Sequence, residues 1–240
     1  MSSIIRLYFP DKIQSDLSSH LSKEHTHYLK DVMRLKIGDK LSIFNTLGEW
    51  EAVIENYEKK GVKIKITGKV RDKGNDKNIW LAFSPIKQNP LNFLIQKGTE
   101  LGVQKFIPIL SERTVVREIN IERIKKIIIE ASEQSNRISV PEINKPELLK
   151  NFLSQLPENA SLIFCDINSK KNNLKNILIK NIDGPICILI GPEGDFSENE
   201  RKMIINLNQT YPISLAKNIL KAETAALSAI TIVNYHLNLS

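Results

Sequence analysis

Two cysteines in 240 residues are too few for a disulfide-stapled fold. Cys165 and Cys187 each lie inside an apolar run and read as buried, reduced thiols, with no metal-ligand spacing around them. His25 and His27 are two apart on an expected helix and cannot share a face, which removes the other metal candidate; none is expected. Nowhere do about 18 apolar residues follow one another, and the N-terminus lacks a charged start leading into a long apolar stretch. No membrane association is expected, and the protein is expected in the cytoplasm. Internal repeats and low-complexity tracts are absent, as is the Gly-rich loop ending in Lys-Ser/Thr that cradles nucleotide phosphates.

What the chain does have is an excess of cations. The formal net charge is +7 and the pI about 9.3, which favours a polyanionic partner. Residues 1–75 hold 14 Lys+Arg against 10 Asp+Glu, so +4 of the +7 lies in under a third of the chain. That part is the expected docking surface, in the sense of steering rather than specificity.

Hydropathy divides the chain near residues 71–78, a polar, flexible composition. Before it, residues 4–9 read as a strand and 24–35 as a short helix. Residues 40–45, 49–57 and 62–69 follow as three strands of a small antiparallel meander or barrel. After it, strands at 79–84, 104–110, 161–167, 185–190 and 211–215 alternate with helices at 90–102, 121–138, 147–155, 198–207 and 222–237. Such alternation predicts a mostly parallel sheet covered by helices.

Two loops of this second part carry the chemistry. Residues 186–190 are wholly apolar, as in a strand buried on both faces, and run into Gly191-Pro192-Glu193-Gly194. Ser197 and Glu200 have capping-box spacing, so a helix starts directly after the loop and the main chain between is free to bind a ligand. An ordinary tight connection is the plain alternative, and Glu193 and Asp195 argue against phosphate. The second loop, 215–221, enters a helix with Ala222, Ala225, Ala226 and Ala229 at helical spacing. Glu223 falls in that helix's first turn, where capping explains it as well as chemistry does. Carboxyl ends of parallel strands are where open sheets hold ligands, and two such loops imply one pocket.

Residues 191–200 and 215–225 together resemble the signature loops of the bacterial 16S ribosomal RNA (uracil-N3)-methyltransferases, the RsmE family of the SPOUT superfamily. Residues 95–103, 111–114 and 130–137 match that family in order and spacing, as do 6–9 and 27–39, so the resemblance spans nearly the whole chain. Asp195 and Ala216 stand where glycines are usual, and Asn218 and Lys221 where arginines are usual. Losing an arginine fork removes planar bidentate contact, and Lys221 restores only charge.

The resemblance implies an α/β protein: a PUA-like RNA-binding β-barrel over 1–74, then a SPOUT methyltransferase domain over 75–240 with a C-terminal trefoil knot and a homodimeric site. It implies methyl transfer from S-adenosylmethionine to N3 of a uridine in 16S rRNA of the small ribosomal subunit. Another RNA target, whether another base or a ribose 2'-OH, and a non-catalytic assembly factor are the alternatives. The cofactor is expected on Leu189, Ile190, Gly191, Pro192, Glu193 and Gly194 and on Leu215, Ala216, Asn218, Ile219 and Leu220. Glu223 and Glu193 are the candidate proton acceptors, and Arg137 the cation for the charged base. Arg6, Arg34, Lys97, Arg113, Gln134 and Arg137 are the expected RNA contacts. Arg123, Glu130, Gln134 and Arg137 would line a polar stripe of helix 121–138, and Glu100 is expected to pair with Arg113.

Overall fold

The computed structural model describes residues 5–13, 18–74, 76–169 and 184–237; Ile4 of the first expected strand and Asn75 at the expected boundary lie outside them. The chain forms two compact units, one of residues 1–75 with 132–140 and one of residues 76–131 with 141–240.

In the first unit, β1 (Arg6–Tyr8), β2 (Ser18–His20), β3 (Lys40–Asn45), β4 (Gly48–Glu58) and β5 (Gly61–Asp72) form a sheet in the order β1-β3-β4-β5-β2. All pairings are antiparallel except β1 on β3. Leu7, Leu41, Ile43, Ala52, Ile54, Ile64 and Ile66 close its core, and their alternation along the strands is the period-two pattern that made β3 to β5 legible. The expected helix 24–35 is shorter. Helix α1 (Lys23–His27) is capped by Ser22 and runs into a π-turn, Tyr28–Val32. Arg34 then takes φ 56°, a left-handed conformation that ends any helix.

Residues 132–140 contain the end of helix α3 (Ile121–Gln134). Asn136 has φ 62°, and the Arg137 N–H donates to the Ser132 carbonyl at 3.2 Å, the six-to-one closure of a Schellman cap with asparagine in glycine's place. Arg137 therefore lies beyond the helix, not on its polar stripe as expected.

The second unit is built on seven parallel strands. These are β6 (Ile79–Phe83), β7 (Lys105–Leu110), β8 (Glu142–Ile143), β9 (Glu147–Leu148), β10 (Ser161–Cys165), β11 (Ile186–Ile190) and β12 (Thr210–Ile213), in the order β12-β10-β11-β6-β7-β8 with β9 beside β7. Helices α2 (Gln88–Glu100), α4 (Leu149–Gln155) and α5 (Glu198–Ile205) lie in the connections, and α6 (Ala222–Leu237) follows β12. Every residue of β11 is buried, which its unbroken apolar run requires of a central parallel strand. From β6 the chain steps to β7 on one side, whereas β10, β11 and β12 lie on the other. The strand order thus reverses between β6 and β11, and the crevice at their carboxyl ends is where such sheets take ligands.

Candidate cofactor and substrate site

Loop 191–197 leaves β11 at that reversal. A Cβ on Gly191 would stand 2.8 Å from the Phe196 ring, so glycine there lets Phe196 turn back under the loop into the core. Phe196 is 5% exposed and meets Phe164 edge-on at 5.7 Å. Asp195 has φ 60°; its N–H donates to the Pro192 carbonyl and its Oδ1 accepts from the Phe196 N–H at 2.8 Å. A left-handed position explains why a glycine is usual here, and aspartate tolerates it through that local hydrogen bond. The capping box is formed: Ser197 Oγ accepts from the Glu200 N–H, and Glu200 Oε2 accepts from the Ser197 N–H at 2.9 Å. Glu200 Oε1 also accepts from the Glu112 N–H at 2.8 Å, and Arg113 donates to the Gly194 carbonyl at 2.8 Å. The loop after β7 is thereby tied to the loop after β11.

Hydroxyls of Ser111 and Thr114 bond each other at 2.8 Å, with Ser84 Oγ 3.5 Å from Thr114 Oγ1. The Ser84 N–H holds the Ile190 carbonyl at 3.1 Å, so the carboxyl ends of β6, β7 and β11 form one hydrogen-bonded rim. Among the described residues, the main-chain N–H groups of Gly191, Glu193 and Gly194 donate to no protein acceptor, nor do those of 215–220. Main-chain polar groups at a crevice either face water or bind a ligand. From β12 the chain reaches α6, which packs on β11 and α2, although β10 separates β12 from β11 in the sheet. Loop 215–221 bridges that gap, and Asn234 anchors the helix by donating to the Leu101 carbonyl at 2.6 Å.

Leu189 and Ile190 are core side chains, 0% and 3% exposed, so only their main chain can face a ligand. Gly191, Pro192, Leu215 and Leu220 are half-buried, and Glu193, Gly194, Ala216 and Asn218 exposed. Ile219 is 86% exposed, the most exposed large apolar side chain described. Glu223 is half-buried in the first turn of α6. Glu100 pairs with Lys97 at 2.7 Å rather than with Arg113, because three residues on one helix put them on neighbouring turns. Among the described residues no group of three or more His, Cys, Asp and Glu could hold a metal ion, and no helix is long and apolar enough to cross a membrane.

In the first unit, Arg34 and Gln134 are exposed, and Arg137 donates to Ser139 Oγ at 2.9 Å. Arg6 departs from its expected role. Its Nε and one terminal nitrogen bond Glu49 at 2.9 and 3.3 Å; the remaining donors reach the carbonyls of Ser132, Glu133 and Arg137 at 3.2, 2.9 and 2.8 Å. All five guanidinium N–H groups have acceptors, leaving none for RNA phosphate. Arg71 shares Glu49 at 2.6 Å and bonds Asn136. Burial opposes the Glu49 charge, but hydrogen bonds from Arg6 and Arg71 and the Arg6 charge overcome it and hold the carboxyl below its usual pKa. Glu49 was not anticipated; its signal was a charged residue beside Trp50 in a strand with an apolar face.

The family described as RNA methyltransferase domain matches residues 73–234, and the RNA methyltransferase PUA domain matches residues 21–67. Ribosomal RNA small subunit methyltransferase E of Rickettsia conorii is 34% identical over 94% of this chain and 93% of its own. The Bacillus subtilis protein of that name is 27% identical over 91% and 90%. Among solved structures, ribosomal RNA small subunit methyltransferase E of Neisseria gonorrhoeae bound to S-adenosyl methionine superposes with TM-score 0.88 at 27% identity, over 97% of each chain. A Legionella pneumophila protein solved in complex with SAM gives 0.86 at 29%, also over 97% of each chain.

Proposed function

Because the chain belongs to the ribosomal RNA small subunit methyltransferase E family, with a PUA-type N-terminal unit and a parallel-sheet SPOUT methyltransferase unit, we propose that it methylates N3 of a uridine in 16S rRNA of the small ribosomal subunit, using S-adenosylmethionine. The observation that carries this reading is the row of uncommitted main-chain N–H groups on loops 191–194 and 215–220 at the strand-order reversal. That set fits the cofactor: adenine is recognised by main-chain donors and acceptors from residues 189–194 and 215–220, and exposed Ile219 supplies apolar cover.

When bound, the cofactor supplies a methyl group already activated on a sulfonium, so the protein's work is to align the accepting nitrogen and manage its proton. Uracil N3 is protonated at neutral pH, and a carboxylate must take that proton as the nitrogen attacks. Glu223 and Glu193 are the carboxylates of the two loops. Among the described residues neither has a hydrogen-bond partner, which leaves both free to accept it. Arg137 is the proposed cation for the negative charge that develops on the ring oxygens. Arg34, Lys97, Arg113, Gln134 and Arg137 are the proposed RNA contacts, without Arg6. A homodimer and a C-terminal knot belong to the same reading. Asn218, polar and exposed where the family has arginine, keeps a different RNA target as the second reading.

Purified protein incubated with unmodified small subunits and labelled S-adenosylmethionine should yield labelled 3-methyluridine on nucleoside mass spectrometry. Another methylated nucleoside would select the second reading, and no label on competent subunits would refute both. Gly194→Leu gives the sharper site test. A Cβ there meets only Arg113, at 3.7 Å, so the fold accepts it while a ligand would not. Loss of affinity of about tenfold or more is expected, and wild-type affinity would move the cofactor elsewhere.

A further inference from the structure

We propose that Arg113 and Glu200 are positioning residues for the cofactor loop: residues 111–114 and 191–197 move as one body, and neither adopts its binding conformation without the other. This rests on the cofactor reading above. Glu200 is 4% exposed and forms no ion pair among the described residues; its charge is balanced by the N-terminus of α5 and by two main-chain N–H groups. Those two belong to different loops, Ser197 at 2.9 Å and Glu112 at 2.8 Å. The neighbouring Arg113 makes the return contact, donating to the Gly194 carbonyl. Two ties at adjacent residues fix both the distance and the tilt between the segments, which one tie could not do. The tied parts come from β7 and β11, strands separated by β6, so local chain geometry does not hold them together.

Glutamine at 200 keeps the size but turns one acceptor into a donor, so it can satisfy only one loop. Arg113 is exposed, so its removal leaves the core intact and isolates the positioning effect. The experiment measures S-adenosylmethionine affinity by calorimetry for wild type, Arg113→Ala, Arg113→Lys, Glu200→Gln and the double variant. It also follows amide hydrogen exchange across 111–114 and 191–197 without cofactor. Arg113→Ala and Glu200→Gln should each weaken binding about tenfold, the loss of one charge-assisted hydrogen bond. Arg113→Lys, which keeps a donor, should recover part of the loss, and the double variant should fall short of the product of the singles. Exchange should rise in both segments in either variant. Wild-type affinity in Arg113→Ala with slowed turnover on small subunits would overturn the proposal and make Arg113 an RNA contact only. Exchange that rises in one segment alone would also overturn it. Coupled exchange in a wild-type protein that fails to bind S-adenosylmethionine would leave the coupling standing and refute the cofactor reading instead.

Discussion

Replacing Glu49 by glutamine should destabilise the first unit by about 3 kcal/mol, because it leaves the Arg6 guanidinium buried without a counter-charge. The side chains of Arg6 and Glu49 are 11% and 6% exposed, and that of Arg71 is 37% exposed, so the Arg71 arm adds less than about 1 kcal/mol. The guanidinium stays stacked over the Phe44 ring at 4.4 Å and bonded to three carbonyls, so it cannot swing out to water without uncapping α3. The chain has two tryptophans, Trp50 in the first unit and Trp80 in the second. In a Trp80→Phe background, Trp50 fluorescence in urea therefore follows the first unit alone. With a slope of about 2 kcal/mol per molar, the midpoint should fall by about 1.5 M at unchanged slope. The pH dependence carries a sign. The folded carboxyl titrates below the usual glutamate pKa, so its stabilisation is complete above that ordinary value and is lost as pH falls through the folded pKa. The gap between wild type and variant should hold at neutral pH and close in acid. A midpoint shift below about 0.3 M at neutral pH, or a gap that widens in acid, would refute the reasoning.

Gly191→Ala should lower the melting temperature through a cost of about 1–3 kcal/mol, since the new methyl group forces the Phe196 ring off Phe164; Gly194→Ala, whose methyl group would meet Arg113 at an ordinary 3.7 Å, should melt like wild type. Asp195→Gly should fold with stability within about 1 kcal/mol of wild type and keep its cofactor affinity, because the left-handed backbone is what the loop needs. Asp195→Val should be destabilised in calorimetry, as a β-branched residue at φ 60° is strained.

The sheet of the second unit is legible because β6 and β11 are apolar throughout, and β10 is apolar after Ser161; they announce themselves as runs that water cannot share. Helix α6 followed from its alanine spacing, and α5 from its capping box. Strands β2, β8 and β9 were missed. They are three, two and two residues long, and the neighbour they pair with, not their own composition, makes them strands. Ile138 continues the apolar spacing beyond the end of α3, whereas Asn136 stops the helix by its backbone angle. The binding loops could be read as loops, but the ties that shape them could not. Glu200 predicts its own cap, yet its second oxygen serves a residue 88 positions away. Arg6 shows the reverse error. A basic residue in a basic segment looks like a phosphate contact until its five acceptors are placed around it.

Synthesis of the chain meets a delay built into this arrangement. The first unit closes with residues 132–140, so residues 76–131 must be made before its last piece exists, roughly 3–11 s at about 5–20 residues per second. In that interval Arg6 and Arg71 have Glu49 but not the carbonyls of Ser132, Glu133, Asn136 and Arg137. A fragment cut at residue 74 is frozen at that unfinished stage, and so the N-terminal unit cannot be isolated by a single cut.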